Sequence, residues 1–225
     1  MLTLNSRAWL SLVILALVMG GLLFGAAGTL RYWQAWLYLF LFFGLSAAIT
    51  ADLMHRDPAL LARRMKGGPL AEQRPLQRLL MLGASLGFIG LLVVPALDFR
   101  FKWSTVPLGA VLVGDTLFLV GFGFIARVYR ENTFTSATIQ VAEGQRVIST
   151  GPYSVVRHPM YASALIYLIG TPLALRSYWG LLALVFMVPF LLWRLLDEER
   201  LLARDLPGYV EYQRRVRYRL IPFLW

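Results

Sequence analysis

"YASALIYLIGTPLAL", residues 161–175, is apolar enough for a membrane helix but short for one, and it carries Pro172. A hydrocarbon core takes about 20 helical residues, with a range of roughly 17 to 25. The reading of this stretch decides the fold. If it crosses, the chain has six spans, at about 9–29, 33–53, 79–97, 106–126, 160–175 and 178–196. If it is half of a hairpin, there are five.

The basic residues favour six. Six spans alternate the connecting pieces between two sides, and 18 of the 22 Lys and Arg then share one side, counting Arg194 at the end of the last span. A wrong count scrambles such a split. The positive-inside rule makes that side the cytoplasm and puts both termini there, with the cell inner membrane as the expected location. "GAAG" after the first apolar run mimics a signal-peptide cleavage site, but the charge split holds only if this segment is kept.

Composition agrees. Of 225 residues, 58% are hydrophobic and 15% charged, too little polar surface for a soluble domain. The fold class expected is therefore an all-α integral membrane protein. It forms a single membrane domain, 1–225, made of a four-span bundle at 1–126 and a core at 127–225. No Cys is present, which excludes disulfides, a thiol nucleophile and a zinc-thiolate site. With two His, a metal site would rest on carboxylates, and none is expected. The net charge of +10 reads as a topology signal, with anionic lipid headgroups as partners and no call for nucleic acid.

The polar pieces differ in character. Residues 54–78 alternate apolar and basic residues between Pro58 and Gly67, which suits a short helix on the membrane surface. In 127–159, "VAEGQRVISTGPYSVV" mixes β-branched residues with Gly and Pro, and is expected to form an ordered strand-and-turn segment. The tail, "LPGYVEYQRRVRYRLIPFLW" (206–225), reads as an interfacial helix folded back on the membrane. Asp115 lies mid-span, where a charge is expensive. It either contacts the substrate or, the favoured expectation, hydrogen-bonds a Thr or Ser of a neighbouring helix while protonated, with Gly114, Gly121 and Gly123 marking close helix packing.

Two constellations carry chemistry. "TGPYSVVRHPM" (150–160) places Arg157 and His158 before Pro159 at a helix start. Structurally, this is a polar cap followed by Pro at the first helical position. Chemically, a helix N-terminus and an arginine attract an anion, with Tyr153 and Tyr161 as aromatic faces. The second is "FLLWRLLDEERLLARDLPGY" (190–209). Successive helical residues point about 100° apart, so Asp197, Glu198 and Glu199 cannot share one target. Salt bridges from Arg194 to Asp197 or Glu198 would explain one or two of these acids. The remainder suit a cation or a ribose.

Gly151-Pro152-Tyr153, Arg157-His158-Pro159, Tyr161 and, about forty residues on, Glu198-Glu199 resemble the isoprenylcysteine carboxyl methyltransferase and phospholipid methyltransferase superfamily. Arg194 before the acid pair, Tyr209, Tyr212 and Pro222 after it, and Asn132 and Phe134 upstream add to the likeness, which covers about 120–225. The resemblance implies a multi-span methyltransferase using S-adenosyl-L-methionine. Cofactor contacts would come from Tyr153, His158, Pro159, Tyr161, Glu198 and Glu199. Catalytic roles fall to Arg194 or Arg157 as holders of the acceptor and to Glu198 as a base for an amine. The acceptor expected is lipophilic: the carboxylate of a prenylated cysteine-like compound, a thiol or a lipid amine. It would enter sideways from the bilayer. Two other classes are weighed against this one. A membrane reductase would use a nicotinamide cofactor. The third class is a transporter or structural protein; against transport, the mid-membrane region holds a single acid and no paired broken helices.

Overall fold

The computed structural model describes residues 3–225. Eight α-helices follow one another: α1 (Leu4–Ala27), α2 (Trp33–Arg56), α3 (Pro58–Met65), α4 (Pro75–Phe101), α5 (Leu108–Glu131), α6 (Pro159–Ala174), α7 (Gly180–Asp205) and α8 (Tyr209–Arg215). Five of them, α1, α2, α4, α5 and α7, are long and apolar enough to cross a membrane. Local signals set several ends. The Thr3 side chain accepts the Ser6 amide at the start of α1, and Gly28 ends that helix in the left-handed region. Asp57 caps α3 by accepting the Leu60 amide at 2.8 Å, with Pro58 at the first helical position.

The short segment that opened the question is α6. Its 16 residues rise about 24 Å, less than the roughly 30 Å of a hydrocarbon core. It nevertheless runs the height of the bundle, antiparallel to α5. A Cβ on Gly121 would lie 2.7 Å from Tyr167, and one on Gly114 would lie 2.3 Å from the Ala174 amide. A Cβ on Gly170 would press on the Gly114 carbonyl oxygen at 2.5 Å. Backbone contact replaces side-chain packing along this seam. Gly123, by contrast, has open space where its Cβ would be, so it takes no part in the seam.

At the far end of α6, the Tyr32 hydroxyl donates to the Leu175 carbonyl. Asp98 of α4 there accepts from the Ser104 amide at 2.7 Å, the Ser104 hydroxyl at 2.5 Å and the Ser177 hydroxyl at 2.6 Å. These bonds draw the α6–α7 turn against the end of α4. Mid-bundle, Tyr38, Phe118, Phe122 and Tyr167 form an aromatic core.

Two expectations are corrected. The β-branched stretch between α5 and α6 forms no strand: α5 continues to Glu131, and the following residues are irregular up to a single 3₁₀ turn at Gly151–Ser154. Its backbone groups find side chains instead of a ladder. Arg63 donates to the Thr133 carbonyl, Arg64 to that of Ser136 at 2.7 Å, and Arg194 to that of Ala137 at 3.0 Å. Asp115 makes no side-chain hydrogen bond among the described residues, and neighbouring Thr116 bonds its own helix at the Leu112 carbonyl. The tail forms the expected helix over α8, which buries Tyr209 and Tyr212 against the protein.

Candidate functional site

Gly151 begins the site. Its φ of +55° is the left-handed region, and a Cβ there would lie 2.5 Å from the Glu131 carboxylate. Pro152 then starts the single 3₁₀ turn, which drives Tyr153 under α8. The Tyr153 hydroxyl accepts from the Asn132 side-chain amide at 2.9 Å, and its carbonyl accepts the Tyr212 hydroxyl at 2.7 Å. Burial pushes the hydroxyls of Tyr153, Tyr209 and Tyr212 above the ordinary tyrosine range, so all three stay protonated near neutral pH.

Arg157 and His158 then run extended beside the tail. Their amides donate to the carbonyls of Tyr218 and Arg219, both at 2.9 Å. Pro159, which lacks an N–H, starts α6. His158 occupies the cap position, yet its side chain makes no capping bond. The imidazole instead faces Glu199, with Nε2 at 3.5 Å from Oε1, too far for a hydrogen bond.

The three acids of α7 diverge as helical geometry demands. Asp197 turns to α4, accepting a two-pronged contact from Arg74 at 2.7 and 2.9 Å and another from Gln77. Glu198 accepts the Tyr161 hydroxyl at 2.7 Å. Glu199 is gripped by Arg157 Nε at 2.6 Å and Arg219 Nε at 2.8 Å. The two motifs, forty residues apart in sequence, are thus joined by two direct contacts.

Arg194 pairs with neither Asp197 nor Glu198. It meets Glu72, in the connection between α3 and α4, at 2.6 Å, and donates to the Gln77 side chain, also at 2.6 Å. Glu72 is 2% exposed. Nothing local in the sequence marks it as the partner of a residue 122 positions away.

One cavity of about 630 Å³ gathers these groups. Tyr153, His158, Pro159, Tyr161 and Glu198 line its polar end, with Arg157, Arg194 and Tyr209. Glu199 is not on the lining; it acts from behind the wall, through Arg157 and His158. The other end is apolar, lined by Leu15, Val18 and Leu22 of α1 and by Phe88 and Leu92 of α4. Two buried polar atoms on the lining have no hydrogen-bond partner: His158 Nε2 and the Tyr209 hydroxyl. Buried polar groups are nearly always satisfied, so two unpaired polar atoms on lining residues of one cavity, His158 Nε2 on the side of Glu199 and the Tyr209 hydroxyl, point to a ligand's place. Tyr209 carried only a family likeness in the sequence; its open hydroxyl is visible only when α8 is folded back on Tyr153.

Fold and site together define a class: an integral membrane helical protein with a polar chamber that opens into an apolar one. Residues 110–206, a little under half of the chain, match the family model of the phospholipid methyltransferases. The match falls on the part of the chain whose motifs resemble the isoprenylcysteine carboxyl methyltransferase and phospholipid methyltransferase superfamily. No curated protein matches the chain.

Proposed function

We propose that the protein transfers a methyl group from S-adenosyl-L-methionine to a lipophilic acceptor at the face carrying the site. The observation that supports this reading best is a single cavity with two chemistries: aromatic, acidic and partly unsatisfied at one end, aliphatic at the other. The polar residues present suit this cofactor. Glu198 offers a carboxylate to its amine or ribose, His158 Nε2 and the Tyr209 hydroxyl offer open hydrogen bonds, and Tyr153 and Tyr161 offer rings. When bound, the cofactor supplies a methyl group on a sulfonium sulfur.

The chain's own contribution is placement and dryness. The α5–α6 seam, α7 and the folded-back α8 fix the rims of the chamber, which raises the effective concentration of correctly aligned reactants. Burial of the lining keeps water out and strengthens each charge–dipole contact. Arg157 and Arg194 act as positioning residues, because Glu199 and Glu72 already hold their charges. The acceptor's chain lies in the aliphatic end and enters sideways from the bilayer.

Calorimetric titration with S-adenosylhomocysteine tests the cofactor. Saturable binding that weakens in Glu198→Gln is the expected result, and no binding to folded protein would end the proposal. Acceptors with long hydrocarbon chains should outperform short analogues, since each buried CH₂ is worth about 0.8 kcal/mol. The site face is proposed to be cytoplasmic, on the distribution of Lys and Arg. Reporter fusions after residues 65, 145 and 225 should read cytoplasm, and those near 31 and 102 the opposite side. An external report at 145 would separate the site from a cytosolic cofactor.

A further inference from the structure

The tail after α8 holds the site with one side and leaves its other side bare. On the inner side, the carbonyls of Tyr218 and Arg219 accept the amides of Arg157 and His158, both at 2.9 Å, and Arg219 Nε grips Glu199 at 2.8 Å. Beyond Arg219 the chain turns back on itself. The Trp225 carbonyl accepts the amides of Arg219, Leu220 and Ile221 at 2.9, 3.0 and 3.1 Å, and the Arg219 guanidinium lies 5.2 Å from the centre of the Trp225 ring. This closed turn holds Phe223 in the left-handed region, at a φ of +66°, an uncommon place for a bulky side chain. It turns apolar groups outward: Phe223 is 89% and Leu224 76% exposed, with Ile221 exposed beside them. Arg214, Arg215 and Arg217 are exposed as well, and no carboxylate lies within ion-pair distance of them among the described residues. Glu211 is the one exposed acid on this segment, one charge against three.

Depth and charge together identify the partner. His158 is the cap residue of α6, whose 16 residues rise about 24 Å against the roughly 30 Å of a hydrocarbon core. The ends of so short a span lie at the hydrocarbon boundary. A turn that follows directly on the residues bonded to His158 therefore stands among the headgroups. Bare apolar side chains next to unpaired cations, at that depth, fit a bilayer surface carrying negative charge.

We propose that an anionic lipid surface docks on residues 214–225 and, through the bonds of Tyr218 and Arg219, locks the Arg157–His158 edge of the site. Lipid phosphates take the charges of Arg214, Arg215 and Arg217, while Phe223 and Leu224 enter the acyl boundary. So held, the tail no longer peels from Arg157 and His158, and Arg219 stays on Glu199. The lock acts on a wall of the cavity and is independent of the ligand that fills it.

The test is amide hydrogen exchange at Arg157 and His158 in the full chain, compared between phosphatidylcholine nanodiscs and equimolar phosphatidylcholine–phosphatidylglycerol nanodiscs. Exchange should be slower in the anionic discs by about tenfold to a hundredfold, since each arginine near an anionic surface adds about fivefold to attachment. Raised salt should erase the difference. The amides of Ser104 and Ser177, at the opposite end of the bundle, should exchange alike in both lipids. Arg214→Gln/Arg215→Gln/Arg217→Gln and Phe223→Ser/Leu224→Ser alter only exposed side chains, so folding should hold, and each should abolish most of the difference. Equal exchange at Arg157 and His158 in the two lipids overturns the proposal. So does a slowing that persists in both variants, or one that extends to Ser104 and Ser177, because the anionic bilayer then stabilises the bundle as a whole. A slowing in phosphatidylcholine that appears only when two copies share a disc makes the occupant a second copy of the chain and also overturns it.

Discussion

Two buried polar clusters stand at opposite ends of the bundle, and they are built on different rules. Around Asp98, every partner is supplied from within. Two hydroxyls and an amide saturate the carboxylate, and the Ser177 hydroxyl also accepts the Gly180 amide at 3.1 Å. Around His158 and Glu198, the chain stops short: an imidazole nitrogen and a phenol, both on residues that line a cavity, are left without a hydrogen bond. The first cluster ties the connection after α4 to the α6–α7 turn. The second spends folding energy to keep polar atoms dry and unpaired. A closed network is a fastening, whereas an open one waits for a ligand.

Three substitutions test that contrast. The largest effect is expected at the fastening. Asp98→Ala strands the buried Ser177 hydroxyl and the half-buried hydroxyl and amide of Ser104 and should cost about 3 kcal/mol of stability, read from the unfolding midpoint. Affinity for S-adenosylhomocysteine in the surviving folded fraction should not move, and a parallel loss of affinity would show the two ends to be coupled. A smaller effect, of the opposite kind, is expected at the open cluster. His158→Ala leaves Pro159 to start α6, so folding should hold while ligand affinity falls by about 1–3 kcal/mol. A lowered midpoint with unchanged affinity would make His158 a structural residue after all. The smallest change is Tyr209→Phe, which deletes a hydroxyl without a partner. Stability should stay level or rise by up to about 1 kcal/mol, while S-adenosylhomocysteine binds more weakly. A hydroxyl whose removal changes neither quantity plays no part in binding.

Much of this organisation is legible in the sequence because it is local. Twenty-residue apolar runs and the sorting of Lys and Arg locate the spans. Asp57-Pro58 announces α3, and Gly151-Pro152 announces the turn that buries Tyr153. The 100° step of an α-helix is enough to say that Asp197, Glu198 and Glu199 face three directions. Pairing across the chain is another matter. The stretch from 141 to 156 has the composition of a strand and forms none, and just upstream of it Arg63, Arg64 and Arg194 take the carbonyls of Thr133, Ser136 and Ala137. Asp98, a buried and fully satisfied acid, gave no signal at all, since Ser104 and Ser177 become its partners only once α4, α6 and α7 are packed.

By itself, the sequence determined which segments are helical and apolar, which residues stand together in the two motifs, and which family the second half resembles. Only the tertiary structure decided how the charges are spent. Arg157 and Arg194, the arginines that the motifs make conspicuous, are neutralised by Glu199 and Glu72, while inconspicuous Arg64 bonds only the Ser136 carbonyl. The physical reason is that helical periodicity and chain polarity act over a few residues, whereas the cost of burying a charge depends on whatever opposite charge the fold happens to bring within about 4 Å.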